Sequence, residues 1–129
     1  MHLTADDAVF VDVIHTNAGD LIEGCLAIPW QLGHVDFYPN GGHHMTGCHD
    51  KPSRFQLLNV YNAIQMQIQM LVKACSHMRA PLYYSDSIRN IGNSKYFIAQ
   101  KCSSFDDFQG KKCSNSEQLP MGEQLTKEM

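Results

Sequence analysis

The sequence predicts an α/β domain, and three observations carry the prediction. AVFVDVIH (8–15) alternates Val9, Val11 and Val13 with Phe10, Asp12 and Ile14, so both faces are largely apolar. That pattern suits a strand buried on both sides, as in a parallel sheet flanked by helices. GHVDFYP (33–39) reads as a second short strand, ended by Pro39 and the NGG that follows. Two helical patterns lie beyond them, at 54–73 and at about 79–90.

The remaining elements follow in chain order. TNAGD (16–20) is loop chemistry. LIEGCLAIPWQL (21–32) is apolar but broken by Gly24 and Pro29, so it reads as an irregular loop with side chains to bury. In 54–73 the stretch IQMQIQM alternates as a strand would. The wider window favours a helix: Leu57, Tyr61, Ile64, Ile68 and Leu71 recur at spacings of four and three. In the next helix Pro81 has no N–H for the carbonyl of His77, so regular helix is expected from near Arg79, with His77 on the turn before it. KYFIAQ (95–100) reads as a third strand and SSFDDF (103–108) as a capped helical turn. The polar run SNSEQLPMGEQLTKEM after Cys113 is expected to be a loosely ordered tail, which gives a domain over 1–113 and a tail over 114–129.

The chain has 129 residues, enough for one domain or part of one. Its formal charge of −3 gives no reason to expect a nucleic-acid partner. No apolar run reaches the length of a transmembrane segment. Acidic residues follow Met1 closely and no apolar leader core appears, so the start does not read as a secretory signal. Five cysteines allow two bridges with one left over, and bridges imply an oxidising compartment. Those two readings are reconciled if the chain is a piece of a longer secreted precursor.

His77 stands just ahead of a helix, after a series of strands. That is where α/β-hydrolases hold the base that takes a proton from a serine and returns it to the leaving group. No serine elbow accompanies it. The nearest match to G-x-S-x-G, Gly92-Asn93-Ser94-Lys95-Tyr96, lacks the second glycine and precedes a strand. A bridge between Cys48 and Cys75 would close the loop 49–74, worth roughly 3–4 kcal/mol in the chain-entropy model. A helix tethered that way beside a candidate base suggests a hinged lid over 49–74, against the plainer reading of an ordinary core helix. Cys102 and Cys113 would form a local staple, leaving Cys25 as a buried inert thiol. His34, His43, His44, Cys48, His49 and Asp50 are metal-capable types, yet no C-x-x-C or H-x-x-x-H spacing organises them, and solvated loop histidines are the default.

DDAVFVDVIHTNAG (6–19), GHVDFYPNGG (33–42), GC (47–48), CSHMRAPLYYSDSI (75–88) and CSSFDDFQGKKC (102–113) together resemble the secreted animal lipases related to pancreatic lipase, with a wording close to the arthropod lipases and venom phospholipases A1. The resemblance implies an α/β-hydrolase fold, here incomplete, and hydrolysis of carboxylic esters in lipids. His77 matches the triad histidine, and Cys48 and Cys75 match the lid bridge. Leu26, Ile28 and Trp30 match the apolar loop that lines the acyl site. The elbow, the triad acid and the oxyanion segment all precede this region in the family, so the missing N-terminal half of the domain is the expected partner. Some members bind a structural calcium. Asp7 matches one ligand but Thr4 stands where another acid belongs, so no cofactor is expected. The long lid favours acylglycerols at a lipid–water interface over phospholipid. Two rivals differ in class: a non-catalytic, truncated lipase-like protein that binds lipid, and a cytosolic metal-binding module.

Overall fold

The computed structural model describes residues 2–20, 25–48, 74–93 and 95–125. The helix expected over 54–73 and nearly all of the proposed lid, together with His49, Asp50 and Ser94, lie outside the described residues.

Strand β1 (Asp12–Ile14) pairs in parallel with β2 (Val35–Phe37), in the register Asp12↔Val35, Val13↔Asp36 and Ile14↔Phe37. Backbone bonds from His34 N–H to Val11 O (2.7 Å) and from His15 N–H to Phe37 O (2.8 Å) continue the pairing at both ends. The regular strand is shorter than the run 8–15, because residues 8–10 bend away and Val9 is 75% exposed. The β1 residues are half-buried instead of covered on both faces. The physical reason is that the described sheet around them has two strands, and a parallel sheet is normally covered by more. Pro39–Gly42 then forms a 3₁₀ turn, in which Asn40 (φ 49°) and Gly41 (φ 80°) reverse the chain.

Helix α1 runs over Arg79–Arg89, close to the expected 79–90. Residues 74–77 are also helical, so His77 sits in helical backbone and Met78 is the turn residue between the two pieces. The Met78 N–H donates to Ala74 O at 2.8 Å, which explains why the turn before α1 is itself helical.

Beyond α1, β3 (Ile98–Gln100) pairs antiparallel with β4 (Gln118–Pro120). Between them lies α2 (Phe105–Gln109), whose Ser104 side chain accepts from Asp107 N–H at 3.1 Å, the capped turn its sequence predicts. Cys102 and Cys113 are disulfide-bonded, with Cα atoms 5.6 Å apart. Strand β4 corrects the expectation of a loose tail after Cys113. Met121 and Gly122 are buried, and the residues around them clasp α1. Glu123 N–H donates to Ser87 Oγ (2.9 Å), Gln124 Nε2 donates to Asn90 O (3.2 Å), and Tyr84 donates its hydroxyl to the Glu123 carboxylate. That last bond raises the Tyr84 phenol above its ordinary pKa. The tail looks polar in sequence because its polar groups serve the helix, while Met121 is its buried apolar side chain.

Gly122 makes this clasp specific. It has φ +94°, and a Cβ there would stand 2.2 Å from Ser87 Oγ and 2.5 Å from Ser87 Cβ. Gly122→Val is expected to lower unfolding stability by about 1–3 kcal/mol, read as a fall in the urea midpoint. An unchanged midpoint would show that the tail does not sit on α1.

Candidate functional site

The site begins in the turn after β1, where His15, Thr16, Asn17 and Ala18 are all buried. Each of the first three has work for its polar atoms. His15 Nε2 lies 2.7 Å from Asp36 Oδ1, with both side chains 2% exposed, and His15 Nδ1 lies 3.0 Å from Ile28 O. Both ring nitrogens therefore face oxygens, and both bonds are made when each nitrogen carries a proton. Asp36 also accepts from Leu32 N–H and Gly33 N–H, at 3.0 Å each. Tyr38 stacks on the His15 ring at 4.3 Å, and its hydroxyl pKa is raised by burial and then by the nearby Asp36 charge. This histidine–carboxylate pair has the chemistry of a catalytic dyad but no solvent access, so it acts as a buried clamp joining β1, β2 and the 25–32 loop. The sequence reading missed it. The signal was the polar His15 and Asp36 within strands of otherwise apolar character.

Thr16 and Asn17 then reach in two directions. Thr16 Oγ1 donates to the carbonyl of His77 at 3.4 Å. That carbonyl is free for it because Pro81, four residues on, has no N–H. Asn17, wholly buried, receives Leu26 N–H on its Oδ1 (2.8 Å), while Leu26 N–H and Ala27 N–H also approach its backbone carbonyl. Two adjacent residues thus hold the backbone of His77 and the backbone of the 25–32 loop.

His77 is further fixed by its neighbours. Ser76, fully buried, accepts Met45 N–H on its Oγ at 2.8 Å. Cys75 is disulfide-bonded to Cys48, with Cα atoms 5.7 Å apart. Three consecutive residues are tied to two segments, Cys75 and Ser76 to the 45–48 turn and His77 to the turn after β1, and yet the His77 side chain is exposed. Among the described residues no side chain hydrogen-bonds its imidazole. Leu26 and Trp30 are 49% and 60% exposed, and Ile28 is half-buried. The loop thus presents apolar side chains outward from a backbone pinned by Asn17 and His15. This arrangement can hold a proton acceptor and an apolar surface on one rigid base.

The metal-capable residues distribute differently from their order in sequence. Asp7 spends its carboxylate locally, with Oδ2 accepting from Thr4 N–H (2.7 Å) and Thr4 Oγ1 (3.1 Å). Cys48 is in a disulfide, which removes the thiolate the histidine-cluster reading needed. His34 is drawn off, its Nδ1 accepting from Val11 N–H at 3.0 Å and its ring stacking on Phe10. Cys25 is fully buried, with Sγ 3.6 Å from His43 Nδ1.

Residues 1–128 match the family model described as Lipase, and the chain belongs to that family. The family implies the α/β-hydrolase fold. Its relatives include pancreatic lipase-related protein 2 of Bos taurus, 42% identical over 114 residues, or 88% of this chain and 23% of that protein. Pancreatic lipase-related protein 3 of Homo sapiens is 39% identical and inactive pancreatic lipase-related protein 1 of Mus musculus 40%, each over the same shares. The chain therefore spans less than a quarter of the length of these relatives. Among the described residues no helix is long and apolar enough to cross a membrane.

Proposed function

We propose that this chain is the C-terminal part of a lipase catalytic domain, with His77 as its general base and then general acid. The observation that carries the reading is an exposed imidazole on a backbone fixed at three successive residues, held by Thr16 next to the Asn17 that anchors the loop exposing Leu26 and Trp30. In the assembled domain His77 accepts the proton of a serine hydroxyl as the acyl-enzyme forms. It then protonates the departing alkoxide and later activates water for deacylation. Leu26, Ile28 and Trp30 line the acyl-chain site, and the segment 49–74 covers it as a lid tethered by the Cys48–Cys75 bridge. The substrate class is acylglycerol presented at a lipid–water interface. The serine, the acid and the oxyanion donors come from the upstream half of the domain. Exposed Val9, Met78, Leu82, Ile88 and Ile91 and the two-stranded sheet support such a missing partner. Two disulfides support a secreted location.

The test joins this chain to an upstream lipase segment that carries a serine elbow and an acid. The joined polypeptide is expected to hydrolyse a short-chain acylglycerol, and this chain alone is expected to give no turnover. A joined polypeptide that folds and does not hydrolyse ester would overturn the reading.

A second reading is a lipid-binding protein without catalysis. It is favoured by the lack, among the described residues, of a side-chain partner for His77, and by a mouse relative whose name calls it inactive. It predicts co-sedimentation with lipid vesicles that persists when His77 is replaced.

A further inference from the structure

We infer that Cys25, His43 and His44 form a zinc(II) site separate from the residues proposed for ester hydrolysis. One ligand atom from each lies within 4.8 Å of the others, with Cys25 buried, His44 half-buried and His43 exposed. One thiolate and two imidazoles make a donor set suited to zinc, which accepts three protein ligands and leaves a fourth position for water.

The geometry is close to what coordination needs. Bonds of about 2.3 Å to sulfur and about 2.05 Å to nitrogen, at a tetrahedral angle, place those two ligand atoms about 3.6 Å apart. Cys25 Sγ and His43 Nδ1 are 3.6 Å apart. The His43 and His44 rings have centroids 5.8 Å apart and planes inclined at 54°, so a rotation of the exposed His43 imidazole toward the half-buried His44 narrows the remaining gap.

The surrounding residues hold this arrangement in advance. Asn17 ties the two arms together, its amide donating to His43 O (3.4 Å) and accepting from Leu26 N–H (2.8 Å), next to Cys25. Asn40 Nδ2 donates to His44 O at 2.7 Å, so each histidine has its carbonyl held by an asparagine. Gly19 provides the space: a Cβ there would stand 2.5 Å from His43 Cε1 and 2.8 Å from Cys25 Sγ. A larger residue would force this thiol and this imidazole apart.

The test uses cobalt(II) as a spectroscopic probe and zinc(II) as competitor, on the full chain with its disulfides intact. One equivalent of cobalt is expected to give a thiolate-to-cobalt charge-transfer band and tetrahedral d–d bands, both displaced by one equivalent of zinc. Cys25→Ser abolishes the charge-transfer band, and His44→Ala weakens binding by more than about tenfold, the scale on which even outer-shell losses are felt. His2→Ala, at an exposed position outside the group, leaves the spectrum unchanged. Circular dichroism of each variant confirms that its fold is retained. Failure of the folded wild-type chain to bind cobalt, binding without the charge-transfer band, or a band that survives in Cys25→Ser would each overturn the site.

Discussion

His77→Ala in the joined, active polypeptide is expected to lower kcat/KM for ester hydrolysis by roughly 10⁴- to 10⁶-fold, the scale seen when a triad residue is removed or mis-set. That corresponds to about 5.5–8 kcal/mol of transition-state stabilisation. The same substitution should change unfolding stability by no more than about 0.5 kcal/mol. The asymmetry follows from the geometry. The imidazole is exposed, and the bond that fixes this residue uses its carbonyl, which alanine keeps. Parallel measurement of ester turnover and the urea midpoint checks both halves. Retained turnover would remove His77 from the chemistry, and a large loss of stability would make it a structural residue.

Asp36→Ala is expected to produce the opposite pattern, a loss of about 3–5 kcal/mol in stability and on the order of 10–20 °C in Tm. It strips one carboxylate from three donors, namely the His15 ring and the N–H groups of Leu32 and Gly33. The ring stays behind, buried, with Nδ1 still facing Ile28 O but Nε2 stripped of its partner, which is the costly way to break such a pair. A double-mutant cycle with His15→Phe separates the pairing from the rest. The double variant should be less destabilised than the two single losses predict, because an apolar ring needs no partner. Strict additivity would mean that His15 and Asp36 act independently.

Much of this was legible in the residues. The strand at 12–14, the strand at 35–37, the capped turn after Ser104 and the start of α1 near Arg79 each followed from local pattern or from a missing N–H. β4 was not legible, because a polar stretch becomes a strand here only through pairing with Ile98–Gln100 and clasping α1. The candidate site was partly legible. His77 could be singled out from its place before a helix, and the resemblance to the lipases suggested the role proposed for it. What pins it could not be read, since Thr16, Ser76 and Met45 are far apart in sequence and meet only in the folded chain. The grouping of Cys25 with His43 and His44 was hidden for the same reason. Cys25 looked inert beside no obvious ligand, and the nearest cysteine to the histidines, Cys48, is taken by Cys75.

The proline at position 81 has an effect opposite to its reputation as a breaker. By withholding one amide it leaves the carbonyl of His77 without its helical donor, and the Thr16 hydroxyl takes that place. The helix and the sheet are thereby coupled at the very residue that would handle protons. Engineering that smooths this stretch into a better helix would loosen one of the ties that hold this backbone, leaving those of Cys75 and Ser76 in place.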